Sequence, residues 1–207
     1  MSPAFTTVIS SLRSELAEMI RMSGDAMGQA TTALLTADLD LAQTVIAADR
    51  LVDDLNARID DRSVRLISTM APGDLEVREI LSILRIATSA ERMGDLAVHI
   101  AKTARMRHPD IAVPTAAREI VGEMGVLAQK LAADSADALE EQDAIAAVLL
   151  KRADEGLDAL HRRLFGLMLS PKWDAGVEAA VDLTLISRFY ERFGDHAVSI
   201  AARAVAE

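Results

Sequence analysis

The segment ERMGDLAVHIA at 91–101 returns, with few changes, as ERFGDHAVSIA at 191–201. A second pair of similar segments lies upstream of these two: ADRLVDDL at 48–55 and ADEGLDAL at 153–160. Similar segments at a nearly constant separation are the signature of an internal repeat. The chain therefore contains two copies of one structural unit, one in each half.

Apolar residues recur at helical spacing through most of the chain. The pattern breaks at 71–73, at 108–114 and at 170–172, where proline removes an amide donor and interrupts a helix. Asp38 and Asp143 stand at the same point of each half and are predicted to cap the helices that follow them. We predict six helices, over 5–35, 39–70, 74–107, 115–141, 143–169 and 174–206.

Three helices, a linker and three more helices predict an all-α fold. Short connections make neighbouring helices antiparallel, so each set of three forms a bundle. The fold class is therefore two tandem, internally duplicated antiparallel three-helix bundles. We place the first bundle at 1–107, the linker at 108–114 and the second bundle at 115–207.

Composition excludes several classes of function. The 207 residues include no cysteine, which removes disulfides, thiolate metal sites and cysteine nucleophiles. The formal net charge of −10 argues against direct binding to nucleic acid, which depends on lysine and arginine displacing counterions. No apolar run reaches the roughly 18 residues of a membrane span, and the N-terminus lacks the apolar core of a signal peptide. We expect a cytoplasmic protein.

Four acid-x-x-x-acid pairs fall within the repeated segments, and this spacing puts both acids of a pair on one helix face. Asp53 and Glu91 lie equally far from Pro72, so antiparallel helices bring them together about 28 Å from the turn. The second half repeats this arrangement around the loop at 170–176. Each bundle is thus predicted to present four carboxylates, from Asp49, Asp53, Glu91 and Asp95 in the first and from Asp154, Asp158, Glu191 and Asp195 in the second.

Two interpretations of these carboxylates remain open. A level patch of four acids binds cations, and oxygen donors suit Mg²⁺, Ca²⁺, Mn²⁺ or iron. Alternatively, nearby arginines neutralise the acids in ordinary ion pairs. Gly94 and Gly194 cost about 1 kcal/mol each in mid-helix, which indicates close approach of either a ligand or another helix. The arginines in question are Arg85, Arg92, Arg188 and Arg192.

The histidines allow a similar choice. His99 follows Asp95 by one turn and His196 follows Asp195 directly, so either is an additional metal ligand or a packing residue. His161 belongs to a single acid-x-x-His motif. A di-iron carboxylate oxidase normally uses two Glu-x-x-His motifs, and the sequence contains none.

At these segments the sequence resembles the PhoU family of phosphate-uptake regulators, especially its actinobacterial members. ERMGD from Glu91 and ERFGDHA from Glu191 are close to the family's E-R-x-G-D-H-A. The pairs that begin at Asp49 and Asp154 fit its D-x-x-apolar-D element. Leu96 stands where the family commonly has histidine, so the resemblance is stronger in the second half.

The resemblance implies an adaptor and not an enzyme. PhoU-like proteins couple the ATPase of the Pst phosphate ABC transporter to a membrane sensor histidine kinase, and they repress the Pho regulon when phosphate is plentiful. It also implies that the eight carboxylates bind metal ions, either iron or zinc as in known members or manganese or magnesium. It further implies that the chain reaches the membrane only through partners and is a dimer or in a monomer–dimer equilibrium. The absence of a Walker A sequence and of a serine elbow agrees with this. The alternative is a non-signalling helical scaffold or metal-binding protein.

Overall fold

The computed structural model describes residues 3–205, and this part of the chain contains six α-helices and no β-strand. A single 3₁₀ turn, Thr115–Ala117, precedes the fourth helix. The predicted all-α class is confirmed, with helix ends that differ from prediction by a few residues; position 206 of the predicted sixth helix lies outside the described residues. The helices are α1 (Pro3–Thr36), α2 (Leu39–Met70), α3 (Asp74–Arg107), α4 (Arg118–Glu141), α5 (Ala144–Met168) and α6 (Gly176–Ala204).

The first turn of each half is built in the same way. Asp38 caps α2 and Asp143 caps α5, each by accepting a hydrogen bond from a backbone amide of the first helical turn. Just before these caps the chain passes through a left-handed conformation, at Ala37 (φ 54°) and at Gln142 (φ 51°). Both predicted caps are confirmed, and the repeat extends to the turn geometry.

The helices form two three-helix bundles, α1–α3 and α4–α6, that lie side by side. Contacts between the bundles run from α1 to α4 and from α3 to α6, which leaves α2 and α5 on the outside. The buried apolar residues of both bundles belong to a single hydrophobic core. The duplicated bundle fold is therefore as predicted, and the two bundles share one interior.

Specific side chains hold the bundles together. The hydroxyl of the fully buried Tyr190 in α6 lies 2.7 Å from the Thr31 hydroxyl in α1. Gly125 of α4 leaves room for Thr31, because an added Cβ there would lie 2.4 Å from its methyl group. Arg107 Nε, at the end of α3, donates to the buried carboxylate of Asp182 in α6 at 2.7 Å. These contacts fix the position of one bundle on the other.

The segment at 108–114 is anchored along its length. His108 Nδ1 lies 3.0 Å from the carbonyl oxygen of Ala37, and Val113 is buried in the core.

Among residues 3–205, none of the helices combines the length and apolar character needed to span a lipid bilayer.

Candidate functional site

Four carboxylates meet in the first bundle, and we call them the first acidic patch: Asp49 and Asp53 of α2 with Glu91 and Asp95 of α3. Burial raises the pKa of Asp49, and the charges of Asp53 and Asp95 raise it further, while Lys102 opposes them. The pKa of Glu91 is raised by burial and then by the charge of Asp95. The structure thus brings together the four acids that the sequence placed on one face.

The second bundle has an equivalent cluster, the second acidic patch, made of Asp154 and Asp158 of α5 with Glu191 and Asp195 of α6. Burial raises the pKa of the half-buried Asp154 to about 6, and the charges of Asp195, Asp158 and Glu191 add to the effect. Burial and the neighbouring carboxylates thus both disfavour a negative charge on Asp154.

The two mid-helix glycines face these patches. A Cβ added at Gly94 would lie 3.3 Å from Asp49 Oδ1, and one added at Gly194 would lie 2.2 Å from Asp154 Oδ1. In the second bundle the same Cβ would also lie 2.7 Å from the buried Leu157 side chain. The predicted close approach is confirmed, and what approaches is the side chain of the facing helix.

Arginines neutralise only part of each patch. Arg92 Nη1 lies 2.9 Å from Asp95 Oδ2, and its Nε lies 3.5 Å from Glu91. Arg188 Nη1 pairs with Glu191 Oε1 at 2.5 Å. Within residues 3–205 the other two arginines that the sequence suggested, Arg85 and Arg192, form no ion pair. In the same range, five patch carboxylates have neither an ion pair nor a hydrogen bond: Asp49, Asp53, Asp154, Asp158 and Asp195.

The two histidines proposed as extra ligands lie at the contact between α3 and α6. The His99 ring stacks on Phe189, with centroids 5.0 Å apart and planes 16° from parallel. His196 is half-buried, and burial followed by the charge of Arg192 lowers its pKa. His99 therefore has a clear packing role between the bundles, whereas His196 lies beside the second acidic patch.

His161 has a closer relation to the second acidic patch than the sequence interpretation gave it. Its Nδ1 lies 3.8 Å from Glu191 Oε2, is buried, and has no hydrogen-bond partner among residues 3–205. The imidazole ring also packs on Phe165, with centroids 4.5 Å apart and planes 32° from parallel. Its position one helical turn after Asp158 was the signal, because that spacing puts both side chains on one face.

The side chains do not form a closed metal site as they are placed. Within residues 3–205, no three histidine, aspartate or glutamate side chains converge in an arrangement ready to hold a metal ion. The donor chemistry nevertheless suits a cation. Three carboxylates of the second acidic patch have no partner among residues 3–205, and the fourth, Glu191, lies 3.8 Å from the unpartnered His161 Nδ1.

The PhoU domain family model matches the chain twice, at 16–104 and at 121–204. The chain belongs to the PhoU family. Each PhoU domain match contains one acidic patch, so the duplication seen in the family comparison is also the duplication of the candidate site.

Similar PhoU proteins span almost the whole chain. "Phosphate-specific transport system accessory protein PhoU homolog 2" of Mycobacterium tuberculosis is 40% identical over 205 residues, which cover 99% of this chain and 96% of that protein. "Phosphate-specific transport system accessory protein PhoU homolog 1" of Mycobacterium leprae is 38% identical and covers 99% and 92%. The crystal structure of PhoU from Pseudomonas aeruginosa superimposes with a TM-score of 0.83 at 26% identity and covers 97% of both chains.

Proposed function

We propose that this PhoU-family chain is an accessory protein of phosphate-specific transport that regulates phosphate uptake and represses the Pho regulon when phosphate is plentiful. The observation that carries the proposal is the end-to-end similarity to mycobacterial proteins named as accessory proteins of that transport system. The two PhoU domain matches and the shared bundle fold support it.

The role proposed here is that of a non-catalytic adaptor in the cytoplasm. It couples the ATPase of the Pst transporter to a membrane sensor histidine kinase, and it reaches the membrane through these partners. Its surface supports this, because a helical chain with a net charge of −10 suits protein partners better than nucleic acid. Self-association into a homodimer is part of the same proposal.

Metal binding by the acidic patches is the second part of the proposal, with iron, zinc, manganese or magnesium as the ion. Asp154, Asp158, Glu191 and Asp195 would hold it in the second bundle, beside His161 Nδ1. A bound cation would supply the positive charge that the patch lacks and would tie α5 to α6. Asp49, Asp53, Glu91 and Asp95 would hold an ion in the first bundle, where Arg92 already supplies one positive charge.

A phosphate-responsive reporter in a strain that lacks this gene tests the regulatory role. Wild type is expected to restore repression in high phosphate. The double variant Glu191→Gln/Asp195→Asn is expected to lose at least half of that repression at equal protein level, because it removes two of the four patch charges. Failure of the wild type to repress would refute the regulatory proposal.

A matched control is available on α4. Glu119 and Glu123 have the same spacing of four, are exposed, and within residues 3–205 form ion pairs with Arg163 alone. Glu119→Gln/Glu123→Gln removes the same charge outside the patches, and such surface pairs contribute little to stability. This control is expected to repress like wild type. Equal repression by the Glu191→Gln/Asp195→Asn variant would make the second acidic patch structural only.

A further inference from the structure

An open apolar groove lies where α5 ends and α6 begins. It encloses about 550 Å³ and is lined by Met168, Trp173, Asp174, Val177, Val181 and Leu185, among others. The three α6 side chains recur every four residues, and all remain exposed, at 81% for Val177, 53% for Val181 and 51% for Leu185. They therefore form one continuous stripe along α6.

The apolar stripe along this groove is not repeated in the sequence of the first bundle. In the repeat, positions 177, 181 and 185 correspond to Val77, Leu81 and Arg85 of α3. Arg85 puts a charge where α6 has leucine, so the apolar stripe of the first bundle is interrupted. Since the rest of the repeat retains its pattern, this apolar surface is not a requirement of the bundle fold. Continuous exposed apolar surface of this kind is typical of interaction sites.

Negative charge lies at both ends of the groove. Asp174 lines the end nearest the start of α6. From the other end, α6 continues from Leu185 to Glu191, six residues or about 9 Å along the helix, where the second acidic patch begins. The positive groups nearby in sequence are Lys172 and Arg188, and Arg188 is already paired with Glu191. The groove thus has an apolar floor, with Asp174 and Lys172 at one end and the net negative second acidic patch beyond Arg188 at the other.

We propose that this groove binds an amphipathic helix of a partner protein, whose apolar face covers Val177, Val181 and Leu185 and whose lysine or arginine side chains face Asp174 and the second acidic patch. Helix-in-groove recognition uses this combination of an apolar stripe with complementary charge at its edges. The net charge of −10 disfavours a second copy of the chain in the same place. The proposal rests on the adaptor function, since it names the chemistry of the segment that the adaptor binds.

Trp173 makes the groove directly observable, because it is the only tryptophan of the chain and lines the groove. The probe is an 18-residue Leu/Lys amphipathic peptide without aromatic residues, added to the full-length protein in EDTA at moderate salt. Saturable change in Trp173 emission is expected. A Leu/Glu peptide with the same apolar face is expected to bind at least about tenfold more weakly, since its charges face Asp174 and the net negative second acidic patch.

Paired variants locate the binding. Val181→Asp is expected to weaken Leu/Lys peptide binding about tenfold or more, because it puts a charge in the middle of the stripe. Leu81→Asp makes the same change at the repeat-equivalent exposed position of α3 and is expected to stay within about twofold of wild type. Urea unfolding of both variants checks that they are folded. If Val181→Asp does not fold, Leu185→Ser is used as a milder variant of the groove.

Three results would overturn the proposal. They are equal affinity for the two peptides, an equal loss of Leu/Lys peptide affinity in Val181→Asp and Leu81→Asp, and no change in Trp173 emission on adding the Leu/Lys peptide. A concentration-dependent emission change in the protein alone, with a matching dimer in sedimentation that Val181→Asp removes, would assign the groove to a second copy instead. Peptide binding is measured on purified protein and the regulatory role in cells, so either proposal can fail while the other stands.

Discussion

The two acidic patches have the same four acids but different neighbours. In the first, Arg92 contacts both Glu91 and Asp95, and Lys102 lowers the pKa of Asp49. In the second, Arg188 pairs with Glu191, and among residues 3–205 no cation opposes the raised pKa of Asp154. The residue at the repeat position of Lys102 is Ala202.

Comparing the two patches separates the features that the bundle fold requires from the local charges that distinguish one site from the other. Both copies have the carboxylates and the facing glycine, so these belong to the shared architecture of two closely packed helices. The copies differ in how much positive charge the chain itself supplies. The first patch is partly neutralised from within, whereas the second has a charge deficit that an external cation could fill.

The largest expected effect concerns that cation. The proposed metal site predicts that Mn²⁺ at about 100 times its Kd raises the free energy of unfolding by about 2.7 kcal/mol, as a ligand of the folded state alone does. Asp154→Asn/Asp158→Asn should remove most of the Mn²⁺-dependent increase, and Asp49→Asn/Asp53→Asn should remove less. Thermal unfolding with and without Mn²⁺ measures both. Equal losses in the two double variants would show that the patches are equivalent.

The next effect separates the two glycines. Gly194→Ala is expected to destabilise the protein by about 2 kcal/mol, because the new methyl group overlaps Asp154 and the buried Leu157. Gly94→Ala is expected to stay within about 0.5 kcal/mol of wild type, since its contacts at 3.3 Å are mild and alanine favours the helix. Urea unfolding compares them, and a larger loss for Gly94→Ala would reverse the order of packing tightness.

A smaller effect depends on pH. The pKa of Asp154 is about 6 in the folded protein, above its ordinary value of 3.8, so the folded state binds the proton more tightly. The free energy of unfolding therefore falls as pH rises from about 4 to about 6. Asp154→Asn removes this penalty and should be more stable than wild type by about 1 kcal/mol at pH 7, a value reduced for solvent screening.

Unfolding at pH 4 and at pH 7 checks this prediction, because the advantage of Asp154→Asn should disappear at the lower pH. Asp49→Asn is the matched variant in the first patch, where Lys102 already offsets part of the raised pKa. Its gain at pH 7 should be smaller. A stability difference that does not change with pH would mean that the Asp154 charge is not its cause.

The smallest expected effect comes from adding a lysine beside the second acidic patch and removing the one beside the first. Ala202→Lys places a cation at the position equivalent to Lys102, on an exposed part of α6. This substitution is expected to lower the pKa of Asp154. It is also expected to raise the free energy of unfolding at pH 7 by a few tenths of a kcal/mol, the usual size for exposed charge pairs. Lys102→Ala is expected to raise the pKa of Asp49 by about as much as Ala202→Lys lowers that of Asp154. Carboxyl titration by NMR measures both, and no change in either pKa would exclude these cations as the source of the difference.

Most of the architecture could be predicted from the sequence because it depends on local and periodic signals. Prolines and glycine at 71–73 and 170–172 marked the turns, and Asp38 and Asp143 marked two helix starts. The meeting of Asp53 with Glu91 followed from counting outward from Pro72, since antiparallel helices of known rise leave little freedom. These inferences need no knowledge of side-chain packing.

What the sequence did not reveal depends on rotamers and on contacts between the bundles. The stacking of His99 on Phe189 joins residues of different bundles, and no spacing along the chain encodes it. The sequence also does not show which arginine pairs with each acidic patch. Arg92 pairs with the first patch, whereas its repeat equivalent Arg192 forms no ion pair within residues 3–205. His161 had the correct helical spacing, but its unpartnered nitrogen is visible only once α5 and α6 are in place.

The shared interior has a consequence for the origin of the chain. The faces that join the bundles, α1 on α4 and α3 on α6, are equivalent faces of the two repeats. A single ancestral repeat would have exposed these faces and buried them against an identical copy, as a twofold-symmetric pair. Joining the copies through the segment at 108–114 turns that encounter into an intramolecular one, at an effective concentration on the order of millimolar. Two copies within one chain can carry different charges, as the two acidic patches do.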